Sequence, residues 1–480
     1  MDNNTNLQHL TDELTPEQKS TMRERFSILA PISAIYALFY AFCLYKNTAG
    51  ITYPFFAIGS LLFFFLCMKK LGISVKKDSI FLVISIILLG ISTCLTNDAR
   101  IIFFNKLGLF LLLMCFMIHQ FCRDIKWDMG KYMGSILLSC FGSIGKMVQP
   151  FKDGNEYRKE KEGFGKGMYV VLGLCIGIPL VMVVLFLLMS ADLVFEQMVD
   201  GFLKDVNLGD FFKVGLLVIV VFFFVYGLLV WFLEKNLSDE VKNKRTGEPI
   251  LAITVTSVLT LVYLLFCGIQ IFSLFLGNME LPTGYTYAEY ARRGYFELLT
   301  VVILNCILVL VGMKRFRESF MLKAILTAMS CCTYIMIASS ALRMIMYINM
   351  YHLTFLRILV LWSLTVLTLL LTGLIIQIYN ENFGLFRYCM TVVTVFYLGL
   401  SFAHPDYWIA KYNVAHMEEE YTDFYYLRRL SADAAPIMAE AFDEEEETLI
   451  RYKAMRTDDI EDMDWRTFNV SVFVAKNKLE

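Results

Sequence analysis

Eleven apolar stretches, each long enough to cross a bilayer, run from about Phe26 to Phe402. Each holds roughly 17–25 mostly apolar residues, the length a helix needs to cross roughly 30 Å of hydrocarbon. Inside lipid every backbone N–H and C=O must be satisfied within the segment, so helices are the expected spanning form. The expected spans lie at roughly 26–45, 51–68, 79–95, 101–120, 168–190, 214–233, 251–276, 295–312, 322–348, 355–378 and 386–403. The fold class that follows is all-α: a polytopic transmembrane helix bundle of about 11 spans with a small C-terminal helical module.

Charge divides the chain into three parts. Residues 1–25 form a polar arm, 26–403 the bundle, and 404–480 a tail with 18 acidic against 9 basic residues. The whole chain carries a net charge of −2, so the part before the tail is net basic. Lysine and arginine in short loops set orientation. Loops on the N-terminal side hold 25 of them and the opposite loops hold 6. The expected topology has a cytoplasmic N-terminus and, with an odd number of spans, an extracytoplasmic tail. A bacterial cytoplasmic membrane is the expected location. The arm has no apolar core before a cleavage site, so the first span reads as a retained anchor.

Residues 128–149 are the candidate for an additional crossing. Met129, Tyr132, Met133, Ile136, Leu137, Cys140, Phe141, Ile144, Met147 and Val148 recur at helical spacing. Asp128, Lys131, Ser135, Ser139, Lys146 and Gln149 fill the other side. A spanning helix would bury two lysines, so an interfacial amphipathic helix on the cytoplasmic side is expected. The basic residues from Lys152 to Lys166 suit an anionic leaflet. A second interfacial helix is expected at 191–206. In the tail, Pro405 suits a first helical turn, and Ser431 or Asp433 is of N-cap type. The run Asp443–Glu447 reads as a solvated helix face, because calcium-loop spacing is absent. Phe468 to Ala475 fits a strand or a helix.

No P-loop, HExxH, GxSxG or paired acidic motif is present. The 12 cysteines lie between Cys43 and Cys389 without a CxxC, and the histidines are scattered, so neither a metal nor a cofactor is expected. Nothing in the charge pattern points to nucleic acid. What remains is a set of ionisable residues near the outer ends of spans. Arg343, Tyr347 and Tyr351 are spaced i, i+4, i+8; Thr354 and Arg357 open the next span; Glu289, Arg293 and Glu297 lead into an earlier one. An arginine at the bilayer centre costs about 2.5–3.5 kcal/mol, and much less near the rim, where it snorkels. One reading of these residues is therefore anchoring to lipid. The other is a polar outer-facing site in which two guanidiniums and two phenols cradle a phosphate or carboxylate. An anionic lipid headgroup or an anionic small molecule would be the ligand, with the bilayer as the standing partner. Glu297 or an acidic tail residue is the alternative neutraliser.

Gly284-Tyr285-Thr286-Tyr287-Ala288-Glu289-Tyr290-Ala291-Arg292-Arg293-Gly294-Tyr295-Phe296-Glu297-Leu298, then Arg343…Tyr347…Tyr351-His352-Leu353-Thr354…Arg357, then Pro405-Asp406…Ile409-Ala410…Asn413 carry a resemblance. Asp423…Tyr426-Leu427…Leu430-Ser431…Asp433-Ala434…Pro436 and Asp464-Trp465-Arg466…Asn469 extend it. The chain resembles an uncharacterised bacterial membrane family, a domain of unknown function of the 4173/4153 type, from about residue 80 onward. Such a resemblance implies topology and choice of residues but no activity. This chain departs from it at His352, where glycine is usual, and at His404, where asparagine is usual; the first departure argues against a tight glycine turn at 352. The first functional expectation is a non-enzymatic envelope protein with a sensing, regulatory or scaffolding role. The alternatives are a transporter or lipid-handling protein for an anionic ligand, and a membrane enzyme acting on a lipid-linked substrate with Glu289 or Glu297 as base.

Overall fold

The computed structural model describes residues 16–124, 127–160, 208–237, 245–272, 287–417 and 423–479, with a few positions between 181 and 195. The described residues form helices and connections, with one isolated bridge between Gly247 and Phe316. The long helices are α1 (Pro16–Leu44), α2 (Thr52–Lys70), α3 (Ile80–Leu95), α4 (Ala99–Phe121), α5 (Met129–Gly145), α6 (Gln149–Glu160), α7 (Leu208–Leu233), α8 (Pro249–Gln270), α9 (Tyr287–Arg315), α10 (Phe320–Tyr351), α11 (Phe355–Tyr379) and α12 (Leu385–Phe402). The tail adds α13 (Pro405–Ala415), α14 (Phe424–Arg428), α15 (Ala435–Ala441), α16 (Glu447–Glu461) and α17 (Val470–Leu479). Phe468–Ala475 therefore leads into and forms a helix, not a strand.

Among the described residues, ten helices are long and apolar enough to cross a membrane: α1–α4 and α7–α12. The solvent pattern agrees. Large apolar side chains such as Leu265, 73% exposed, face outward. Serines and threonines such as Ser60, Ser330 and Thr333 lie inside. Ser330 and Thr333 donate to carbonyls one turn back, at 2.8 Å each, which satisfies a small polar group without water and allows close helix approach. The chain is a multi-pass membrane protein.

Two ends of the bundle are fixed by ion pairs. At the Pro16 end, Arg25 of α1 reaches Glu234 just past α7. At the opposite end, Lys46 meets Asp210 at the start of α7. So α7 runs antiparallel to α1. The chain leaves α6 at the Pro16 end, where α6 packs on α1, and re-enters α7 at the other. The expected span at 168–190 and helix at 191–206 fall in that interval, largely outside the described residues. The tail stands at the end opposite Pro16 and is called the module here.

The apolar core has three parts. Leu29, Phe64, Phe116 and Tyr226 belong to the set α1–α5 with α7. Val302, Met329 and Leu371 belong to the set α8–α11. Helix α12 joins them, packing on α11 and on α3. The module has its own core around Leu427, Met438, Tyr452 and Ala475, and Ile101, Phe355 and Leu400 of the bundle enter it.

Helix α5 is turned differently from the simple amphipathic reading. Asp128 caps it by accepting from the Lys131 N–H at 2.8 Å. Its buried residues include Ser135, Ser139 and Ser143, while Met133, Leu137, Phe141 and Ile144 are exposed. The serine side is packed onto α7, where the Trp231 ring lies over Gly142. Lys146 joins Glu234, and Lys131 lies over the Trp127 ring. The polar side thus faces protein, and the apolar stripe is split: Tyr132 and Ile136 enter the core, while Met133, Leu137, Phe141 and Ile144 are left outward.

A polar cluster beneath the C-terminal module

The expected site residues divide. On α10 and α11 the rings of Tyr347 and Tyr351 meet edge-on at 5.2 Å, and the Arg357 guanidinium lies 4.1 Å over the Tyr347 ring. Arg357 also donates to the carbonyls of Tyr351 and His352. Arg343 lies two turns deeper on α10 than Tyr351 and donates to Gln270 at 3.1 Å; Ser339 donates to the same amide oxygen at 2.7 Å. Thr354 stands at the N-cap of α11 without a side-chain cap bond. Glu297 is exposed on α9. Glu289 and Arg293 fall in the first turns of α9, and their side chains lie outside the described residues. Among the described residues the partners of Arg357 are thus backbone carbonyls and a ring, not Glu297 or an acidic tail residue.

His352 has φ 63° and ψ −174°, a region that glycine enters without strain and other residues rarely occupy. The glycine-type turn therefore persists here despite the histidine, contrary to the expectation from its side chain. The module holds it. Asn413 of α13 accepts from Leu353 N–H at 2.8 Å and donates back to its carbonyl at 2.9 Å. Phe355 N–H donates to the Tyr426 hydroxyl at 2.8 Å.

A second cluster, at the loop between α3 and α4, is where the buried charge is concentrated. Asp98 caps α4 and binds Arg100 through both oxygens at 2.8 Å. Arg100 also reaches Asp406 at 2.5 Å and lies 3.9 Å over the Phe355 ring. Asp406 accepts from Ser431 N–H at 2.9 Å. Burial, with Asp98 nearby, pushes the Asp406 carboxyl above its ordinary range against the pull of Arg100. Asp433 is fully buried and accepts from Thr96 at 2.5 Å, Asn97 N–H at 2.9 Å, His404 at 3.1 Å and Ser471. Burial raises its pKa, but the bonds from His404, Ser471, Thr96 and Asn97 outweigh that and hold it below the usual carboxylate range. The bond to Asp433 in turn raises the His404 pKa. Asn469 donates to the carbonyls of Ala49 and Thr96 at 2.9 Å each.

Sequence reasoning placed its site on the arginines and missed these carboxylates. The signal was present. Asp406, Asn413, Tyr426, Ser431, Asp433 and Asn469 all belong to the motifs quoted above, and all of them join the module to the bundle or to itself. Deeper still, Asn105 accepts from Ser401 and Tyr397 at 2.7 Å each, linking α4 to α12.

At the Pro16 end the charges are structural as well. Arg25 grips Asp153 with two 2.8 Å bonds, Tyr226 donates to the same carboxylate at 2.7 Å, and Gln149 at 2.9 Å. This pins α6 to α1 and α7. Asp124 holds His119 and Tyr132, each at 2.9 Å. Burial pushes the Asp124 pKa up, but His119, Tyr132 and Arg387 bring it below the ordinary range.

No curated protein matches the chain, and no solved structure matches it. A family model described as a domain of unknown function, DUF4153, matches residues 83–441, three quarters of the chain, and the chain belongs to that family.

Proposed function

We propose that the protein is a non-enzymatic sensing, regulatory or scaffolding protein of the bacterial cytoplasmic membrane. In this reading the Pro16 end is cytoplasmic and the module stands outside, over the polar cluster of Arg343, Tyr347, Tyr351 and Arg357. The carrying observation is the use made of buried charge. Asp98, Asp406 and Asp433 are spent on joining the module to the bundle, each with several donors. Their lone pairs are occupied by protein groups, which leaves little acid or base capacity for chemistry. A charged, hydrogen-bonded contact between two bodies is also one that a signal can break, since its strength depends on every donor being in place.

The test is a comparison in the native host. Asp433→Asn removes the charge and should loosen the module while leaving the spans inserted. A regulator should then show an altered state, unresponsive or constitutively on, that differs from the phenotype of a strain lacking the gene. A D433N strain that reproduces the deletion phenotype with normal protein abundance would defeat the regulatory reading in favour of a carrier or an enzyme.

A further inference from the structure

At the Pro16 end, a cavity of about 520 Å³ opens on the seam between the two helix sets. Its size is within the range of small-ligand sites. The lower wall is apolar: Leu310, Leu322, Leu326 and Phe386. The mouth is charged. Arg245, Lys314, Arg317 and Lys323 line it with Asp128, Glu318 and Glu381, and Arg317 pairs with Glu248 just outside the lining. Phe320, 88% exposed, stands beside the lining residue Ser319, so the rim adjoins apolar surface.

Three donors at this mouth have unused capacity. Arg245 binds Glu318 and Glu381, but both bonds leave from Nη1. Its Nη2 and Nε are open among the described residues, and that edge of the guanidinium matches a phosphate or carboxylate. Lys314 Nζ is bound to Asp128 at 3.0 Å, across the seam, and among the described residues its other donor positions are open to a second acceptor. Trp127 lines the cavity and is buried, yet its indole N–H has no partner among the described residues. A buried donor of this kind is costly to leave unpaired. A floor for hydrocarbon, a mouth of cations with unused donors and an orphaned N–H together suit an amphiphilic anion.

We infer that this cavity binds a phosphate-bearing anion at Arg245, Lys314 and Trp127. Its source is either the phosphodiester headgroup of an anionic lipid, with acyl chain over Leu322 and Leu326, or a soluble phosphate entering from the Pro16 end. This site is separate from the polar cluster beneath the module and does not depend on the role proposed for that cluster.

The experiment uses the full chain in nanodiscs of phosphatidylcholine and reads the tryptophan emission that Trp127→Phe removes. Acyl-brominated phosphatidylglycerol should quench that component saturably and at lower mole fraction than brominated phosphatidylcholine. Arg245→Gln with Lys314→Gln should raise the half-saturating fraction about tenfold. Glu381→Gln frees Arg245 further and should lower it, a gain that a misfolded variant cannot give. A Trp127 response to inorganic phosphate or glycerol 3-phosphate without a lipid preference would assign the site to the soluble source. Equal quenching by both brominated lipids, with no response to either phosphate, would overturn the proposal.

Discussion

Two histidines carry backbone geometry that their side chains do not favour. His352 and His404 have φ of 63° and 49°. At these positions the resemblance led to an expectation of glycine and asparagine, the residues that tolerate positive φ best. The sequence showed the departure but not its outcome, because the local cost of order 1–3 kcal/mol is outweighed by the module's grip on Leu353 and Phe355. His352→Gly should therefore stabilise the protein, by about 1 kcal/mol, seen as a raised melting temperature in detergent. His404 adds a titration. Its raised pKa means the pairing with Asp433 is fully present below the ordinary histidine value, about 6.5, and is lost as pH rises through the higher folded value. The Asp433 contribution runs the other way, lost only as pH falls through its depressed value. As pH rises from below about 6.5 through the higher folded value of His404, the module should become more open to protease or hydrogen exchange, and His404→Asn should abolish that pH dependence. A module equally protected across that range in the unmodified protein would contradict this account.

For the helices, periodicity identified the faces but not the medium each face meets. In α5 the apolar and polar stripes were legible at 3.6-residue spacing. The middle of the polar stripe, however, is made of the small serines Ser135 and Ser139, with Ser143 beside them, which suit close helix packing, and it lies against α7. In water an apolar face must turn inward; next to lipid it need not, so the hydrophobic pattern alone leaves the direction open. Substitutions discriminate. A Cβ on Gly142 would lie 2.4 Å from the Trp231 ring, so Gly142→Ala should destabilise by about 1–3 kcal/mol. Leu138→Ala on the exposed side should change melting by much less. Equal effects would place α5 away from α7. The spans themselves were legible because length and composition suffice for them. The partners of Arg343 and Arg357 were not, because an amide at Gln270 and two carbonyls leave no charge signature in a sequence.

For the molecule as a whole, the opposite placement of Pro16 and the module rests on contacts at the two ends: Arg25 with Glu234 near Pro16, and Thr96 with Asp433 at the module. With the basic loops taken as cytoplasmic, alkaline phosphatase fused after Lys478 should be active, and a fusion after Arg158 inactive. The reverse result would invert the molecule. The two helix sets share a seam that α12 and Lys314–Asp128 bridge at one end and the module covers at the other. The sequence contained the residues of both closures without indicating that they meet, since contacts such as Thr96 with Asp433 join positions 337 apart.

That separation has a consequence for biogenesis. The carbonyl of Ala49 waits for an amide 420 residues further along the chain. The first hairpins enter the membrane early in synthesis, yet the loops after α1 and α3 lack their last partner until Asn469 has left the ribosome. Each nascent molecule thus exposes an incomplete surface for nearly the whole of its translation, and a chain interrupted before Asn469 keeps that surface open to the proteases and chaperones that meet it.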